Sequence, residues 1–253
     1  MAWSVNTGAV SGRERGSRPT FGSAADAYAR ARPGYPAEAL HWLVPTRVRR
    51  ALDIGAGTGK LTEQLVQRGI EVVAVEPSRR MRAAFRNALP DVDVRAGTAE
   101  NIPVGDSSVD ALLCAQAWHW VNPSIAGPEV ARVLRPGGIF GLVWNVRDRR
   151  HAWVDALARL LGPSGTIEPG ETPDVGGAFG DLEHAEFTFV HTLPRNLVFD
   201  LVASRSQVVD LATSERSELL RSVEALVDAE TETQGRTHIT IPYRTLCFRA
   251  QKP

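Results

Sequence analysis

Apolar and polar positions change their period repeatedly along this chain, and the changes mark out its elements. Ala51 to Ile54 and Glu71 to Val75 are short, mostly apolar runs of the kind that strands covered on both faces require. Between them Leu61 and Leu65 lie one helical turn apart, with Thr58 as a possible N-cap and Gly69 as a stop, which predicts a helix. Arg79 to Leu89 reads as a second such helix and Val92 to Ala96 as a third strand. Val109 to Ala115 is nearly all apolar and predicts a fourth strand. A helix over Pro128 to Leu134 is expected to stop at Arg135-Pro136-Gly137-Gly138, before a fifth strand from Ile139 to Trp144.

Strands alternating with helices over residues 50 to 145 predict an α/β fold with right-handed crossovers, a doubly wound parallel sheet that binds ligands beyond the carboxyl ends of its strands. Ala24 to Arg30 and Pro36 to Leu43 read as short helices ahead of that sheet, the second opening with proline at a tolerated position. Beyond it the rhythm changes. A helix at Trp153 to Leu161, a long Gly/Pro loop, a strand at Ala185 to Thr192 and helical patterns over 197 to 230 precede a last strand, Thr237 to Ala250, expected to be interrupted near Pro242. The two late strands are read as the antiparallel end of the sheet. The segment of about 195–235 between them is a helical insertion and a candidate cap. The expected organisation is a disordered tail over 1–18 and one domain over 19–253, with its N-terminal helices within 24–44.

At 253 residues and 43% hydrophobic, the chain can bury one substantial core. Lys plus Arg number 29, as do Asp plus Glu, so there is no global electrostatic footprint for nucleic acid or an anionic membrane. Two cysteines, Cys114 and Cys247, are too few for a disulfide framework or a zinc site and suit a reducing cytoplasm. The first eighteen residues, rich in Ser, Gly and Arg, lack the apolar core of a signal peptide, and no run approaches membrane-spanning length.

The chemistry concentrates at Asp53-Ile54-Gly55-Ala56-Gly57-Thr58-Gly59, between the first strand and its helix, with Glu76-Pro77 closing the second strand. Glycines at alternate positions let main chain approach a ligand that side chains would obstruct. A dinucleotide fingerprint needs glycine at the sixth place from Gly55, where Lys60 stands. A P-loop needs glycine where Ile54 stands and Ser or Thr where Leu61 stands. A pyrophosphate would want donors or a cation, and this site offers two carboxylates.

The pattern Asp-x-Gly-x-Gly-x-Gly, with an acid ending the second strand, resembles motif I and its partner in the class I S-adenosylmethionine-dependent methyltransferases. Similarity is strongest from Phe21 to Asn145 and looks like the small-molecule group that includes the trans-aconitate methyltransferases (methyltransferase type 11). The resemblance implies a Rossmann-like seven-stranded sheet, mostly parallel with an antiparallel C-terminal strand. It also implies S-adenosylmethionine as cofactor, S-adenosylhomocysteine as its product, and no metal. Glu76 would take both ribose hydroxyls, against the alternative of an exposed strand-end acid, and Asp53 would organise the loop and the amino end of the tail. Tyr28-Ala-Arg-Ala-Arg32-Pro-Gly-Tyr35-Pro is similar to a segment that folds over the cofactor in that group; Tyr28 or Arg32 would meet its carboxylate, and Tyr35 would pack between helix and sheet. Thr98, Ala99 and Glu100 would bracket the adenine, with Thr98 where many relatives carry Asp and Glu100 supporting the loop.

Cys114-Ala115-Gln116-Ala117-Trp118-His119-Trp120 resembles the end of strand four in the group, which places Gln116 near the transferred methyl. His119 is a candidate general base or a structural histidine. Trp118 and Arg147 are candidate substrate contacts, the alternatives being packing for Trp118 and a salt bridge for Arg147. The activity implied is in-line methyl transfer to a small molecule, with nucleic acid disfavoured as a partner and oligomeric state open. A binding protein that kept the pocket without transferase activity, or a nicotinamide-dependent oxidoreductase, are the alternatives.

Overall fold

The structure is a computed structural model that describes residues 31–162, 167–203, 208, 211–230 and 235–253. The predicted tail over 1–18, the helix at Ala24 to Arg30 and Tyr28 lie outside these. The described helices are α1 (Ala37–Leu43), α2 (Lys60–Gln67), α3 (Arg79–Ala88), α4 (Pro123–Val133), α5 (Ala152–Leu161), α6 (Arg195–Ala203) and α7 (Thr213–Ala229). Strands are β1 (Arg50–Ile54), β2 (Glu71–Val75), β3 (Asp93–Arg95), β4 (Val109–Ala115), β5 (Leu134–Arg147), β6 (Glu183–Pro194) and β7 (His238–Gln251). They form one seven-stranded sheet in the order β3-β2-β1-β4-β5-β7-β6. The first five are parallel, and β7 pairs antiparallel with both β5 and β6. This is a Rossmann-like sheet, mostly parallel with an antiparallel C-terminal end, as the resemblance implies.

The near-continuous apolar strands are explained by cover on both faces. On one face Leu52, Val73, Leu112, Phe140 and Leu142 pack against Ala126, Val130 and Val133 of α4. On the other, Ala51, Val72, Leu113 and Val143 pack against α1 and α2 through Leu40, Leu43, Leu61 and Leu65. A third cluster joins α5, α6 and α7 to the ends of β6 and β7 and includes Ala31 from the start of the described chain. Helices α6 and α7 lie between β6 and β7 in the chain, within the expected insertion.

Three local expectations are corrected. Helix α4 begins at Pro123 rather than Pro128, because Asn122 caps it by accepting from Ser124 N at 3.2 Å, and Pro128 sits inside the helix. Arg135-Pro136-Gly137-Gly138 is no gap between elements: β5 starts at Leu134, which pairs with Val109, and the four residues are absorbed as a bulge before Ile139 pairs with Ala111. Gly137 takes a φ of 73° there. Strand β7 runs unbroken through Pro242, whose carbonyl accepts from Asp148 N at 2.9 Å. Its nitrogen lies on that same side, so the missing N–H costs only the reciprocal bond to Asp148 O at the end of β5, and the pairing with β6 continues past it.

Strand β5 joins the parallel and antiparallel halves, and its side chains anchor the larger cluster. Phe140 is fully buried between Trp118 and Phe179, with ring centroids 4.9 and 5.1 Å away. Phe140→Ala is expected to cost about 3–5 kcal/mol in unfolding free energy by urea titration. A loss under about 1 kcal/mol would show that the β5 face is not the packing centre described.

Candidate cofactor and substrate site

The carboxyl ends of β1, β2, β4 and β5 converge on the glycine loop. After β1 the chain turns sharply, with Gly55 N and Ala56 N both donating to Val75 O at 2.8 and 3.2 Å. Gly55, Gly57 and Gly59 have φ values of 70°, 59° and 91°, the left-handed region that glycine enters without steric cost. Their missing side chains serve different ends. A Cβ on Gly55 would lie 2.8 Å from Ala117 Cβ, so the loop can press against the turn after β4. One on Gly59 would lie 2.7 Å from Leu89 Cδ1, so α2 can start against α3. A Cβ on Gly57 would meet nothing within 4 Å among the described residues. Gly57 is thus the glycine whose bareness packing does not explain. Gly59, not Thr58, occupies the N-cap of α2.

Glu76 is buried, and its two oxygens point at main chain: Oε2 accepts from Gly57 N at 2.9 Å and Oε1 from Ser78 N at 2.8 Å. A carboxylate has about four acceptor positions, so each oxygen keeps one for a ligand hydroxyl. Pro77 is exposed and its carbonyl accepts from Arg82 Nη1 at 2.7 Å. Asp53 is fully buried; Oδ2 accepts from the Thr62 hydroxyl at 2.6 Å, while Oδ1 has no partner among the described residues. Burial raises its pKa to about 7; the bonds from Thr62 oppose this, and the neighbouring Glu76 adds to it.

Beyond β3, Thr98 and Asn101 bridge through their main chains, and Ala99 is buried beneath the turn. Glu100 turns away to accept from Asn122 N at 2.9 Å, tying this turn to the start of α4. Desolvation raises its pKa, but bonds from the Asn122 and Glu100 amides and the Thr98 hydroxyl outweigh it and hold the group low.

The end of β4 is shaped by Gln116, which has a φ of 59° despite its side chain, a conformation that costs on the order of 1–3 kcal/mol and collects at functional sites. Its N donates to Val143 O at 2.9 Å and its Nε2 to Asn145 O at 3.1 Å. A short 3₁₀ turn, Trp118–Trp120, follows. Trp118 points into the core, and its indole N–H donates to Asp174 O at 2.7 Å, so it holds the loop before β6. His119 is half-buried; its Nδ1 is buried without a partner among the described residues, and burial lowers its pKa. At the end of β5, Arg147 has a buried Nε without a hydrogen-bond partner among the described residues, on the sheet face it shares with Asn145 and Tyr243.

A strap, residues 31–36, crosses these strand ends and carries Arg32. His191 Nε2 donates to Ala31 O at 3.1 Å, Asn145 Nδ2 to Gly34 O at 2.9 Å, and Gln64 both accepts from Tyr35 N at 2.9 Å and donates to Tyr35 O at 2.7 Å. Tyr35 is buried against α1 and α2, in the packing role expected of it. The structure therefore gathers Arg32, Asp53, the three glycines with Ala56, Glu76, Gln116, His119 and Arg147 along one edge of the sheet, while Trp118 belongs to the core beneath. Thr62, Gln64 and Asn145 complete the arrangement. Their polarity suits solvated helix or strand-end positions equally well, so spacing does not single them out.

The chain matches the family model described as a methyltransferase domain over residues 52–142. It is 46% identical over 231 residues to a Mycobacterium tuberculosis protein named an uncharacterized methyltransferase, covering 91% of this chain and 95% of the relative. Among solved structures, one provisionally named a type II methyltransferase, from Anaeromyxobacter dehalogenans, superposes with a TM-score of 0.62 at 26% identity, covering 87% of this chain and 97% of that one. Phosphoethanolamine N-methyltransferase 2 of Haemonchus contortus, in complex with S-adenosyl-L-methionine, shares the fold with a TM-score of 0.54 at 16% identity, over 90% of this chain and 56% of that one.

The buried Asp53 makes a signed prediction. Its folded pKa lies above its unfolded value of 3.8, so the native state holds the proton longer and this group's contribution to stability falls as pH rises from about 4 to about 7. The stability of the wild type relative to Asp53→Asn should therefore decline across that window in urea unfolding experiments. A constant difference would mean that Asp53 ionises in the folded protein as freely as in the unfolded one.

Proposed function

We propose, from the premise that this chain belongs to the class I S-adenosylmethionine-dependent methyltransferases, that it transfers a methyl group from S-adenosylmethionine to a small-molecule acceptor by in-line displacement. The observation that carries the reading is the Gly57–Glu76 pair, an open glycine beside a buried carboxylate whose oxygens each retain an acceptor position. The residues fit the cofactor. Glu76 takes the ribose hydroxyls, and the open main chain of Gly55, Ala56 and Gly57 borders the amino acid tail. Asp53, fully buried and holding the Thr62 hydroxyl, organises the loop beneath the amino end of the tail. Thr98 and Ala99 border the adenine, with Glu100 and Pro77 shaping the turns beside it. Arg32 meets the tail carboxylate from the strap side, and Tyr28, outside the described residues, is the other candidate for that carboxylate.

When bound, the cofactor supplies an electrophilic methyl on a sulfonium. The protein's own work is alignment and exclusion of water, and orientation of this kind contributes on the order of 7–11 kcal/mol to barrier lowering. Gln116 fixes the turn facing the reacting centre. His119, half-buried on the turn after β4, accepts the proton where the acceptor is a hydroxyl, amine or carbon acid; a carboxylate acceptor has none to lose. Arg147 receives an anionic group of the acceptor, and the insertion carrying α6 and α7 serves as the cap. A formal net charge of zero favours a small molecule over a polyanion. Among the described residues no helix is long and apolar enough to cross a membrane, and no cluster of three metal-ligating side chains occurs.

Incubating the enzyme and isotope-labelled S-adenosylmethionine with a metabolite extract tests the reading. Label should appear in a small molecule; donor binding without any transfer would instead identify a binding protein. Gly57→Val should abolish donor binding, since the new side chain fills the open space and a left-handed φ adds about 1–2 kcal/mol of strain. Glu76→Ala should weaken binding of S-adenosylhomocysteine by about 10- to 100-fold in calorimetry; unchanged affinity would remove Glu76 from the site. His119→Ala should lower turnover by about 100-fold while sparing donor affinity, and unchanged kcat would demote His119 to a structural role.

A further inference from the structure

Three parts of the molecule meet at Asn145. Its Nδ2 donates to Gly34 O in the strap at 2.9 Å, and its Oδ1 accepts from the Thr245 hydroxyl on β7 at 2.8 Å. Its main-chain carbonyl accepts from Gln116 Nε2 at 3.1 Å. The polarity of this junction is fixed by chemistry. Gly34 O can only accept, so the amide nitrogen must face it; the amide oxygen then faces Thr245, whose hydroxyl must donate. Thr245 is fully buried, so its hydroxyl has no solvent to turn to if Asn145 moves. Gln116, for its part, is in a left-handed conformation and is gripped twice by β5, through Val143 O and Asn145 O. One residue thus ties the middle of the strap to β5 and also steadies the turn that faces the reacting centre.

We propose that Asn145 is a positioning residue that couples docking of the strap to the Gln116 turn, so that closure of the donor pocket and alignment of the acceptor side are set together. The consequence for donor affinity rests on the methyltransferase reading; the mechanical coupling does not. Two main-chain amides report it without bonding to the Asn145 side chain: Tyr35 N, held by Gln64, and Gln116 N, held by Val143. Asn145→Asp retains size, the main-chain carbonyl and the acceptor for Thr245, but it cannot donate to Gly34 O. The hydrogen bond it loses is the one to the strap, while Thr245→Val perturbs Asn145 from the opposite side without adding charge, so a response of Gln116 common to both variants travels through Asn145.

Amide exchange measured by NMR in Asn145→Asp should accelerate by about fivefold or more at both Tyr35 and Gln116, with Leu52 in β1 unchanged. Acceleration at Tyr35 alone, or at neither, would overturn the coupling. Thr245→Val should change both amides in the same direction and Thr245→Ser should restore them, which decides the matter if the aspartate variant does not fold. In calorimetry, Asn145→Asp should bind S-adenosylhomocysteine about tenfold more weakly than wild type; equal affinity would remove the positioning role. A wild type that gives no heat with this ligand would refute the methyltransferase reading, and the paired exchange rates would still decide the coupling.

Discussion

The hydrogen bond from Gly57 N to the Glu76 carboxylate, 2.9 Å long and nineteen residues apart in sequence, is the constraint on which the site depends. It locks the first two βα turns together at one level of the sheet. That requires β1 and β2 to be parallel and in register, which the pairing of Ile54 with Val75 provides. It also requires Gly57 to turn its N–H inward, which its left-handed φ permits. The same carboxylate caps the next turn through Ser78 N. A buried acid satisfied on one side by main chain and open on the other is suited to recognising hydroxyls and ill suited to phosphate, whose charge it repels.

Around that fixed corner the rest of the fold supplies walls. Gly59 and Gly55 draw α3 and the post-β4 turn close because neither carries a side chain that would intrude. Bulged β5 reaches far enough to place Asn145 and Arg147 at the edge, and antiparallel β7 backs it with Thr245 and Tyr243. The strap then crosses the top on bonds contributed by α2, β5 and β6. Trp118, bonded to Asp174 O, extends the support from below, so the turn bearing His119 sits on packed core rather than on a loose loop.

Elements that rest on local physics were legible in the sequence. The parallel strands are continuous apolar runs because both faces are covered, and the glycine loop announces itself by the absence of side chains. The antiparallel end was readable from the late strands at 185–192 and 237–250. Boundaries decided by tertiary pairing were not legible: Arg135-Pro136-Gly137-Gly138 has the composition of a helix stop, yet the pairing of Leu134 with Val109 draws it into β5. Pro242 carries a local signal for interruption, which the end of β5 makes irrelevant. At the site, charged and glycine positions are visible in the sequence, whereas the pairings of Gln64, Asn145 and Thr245 are not, because their partners lie 29, 111 and 100 residues away and no periodicity encodes such pairs. Trp118 shows the converse: its place beside His119 suggests a contact with substrate, while its ring belongs to the core.

The central claim is a pocket shaped for an adenosyl sulfonium without phosphate, and calorimetric titration of the wild-type protein with S-adenosylhomocysteine and, separately, with NAD tests it most directly. The account predicts saturable one-site binding of the first and no heat from the second. Tight uptake of NAD, with no response to S-adenosylhomocysteine, would contradict it.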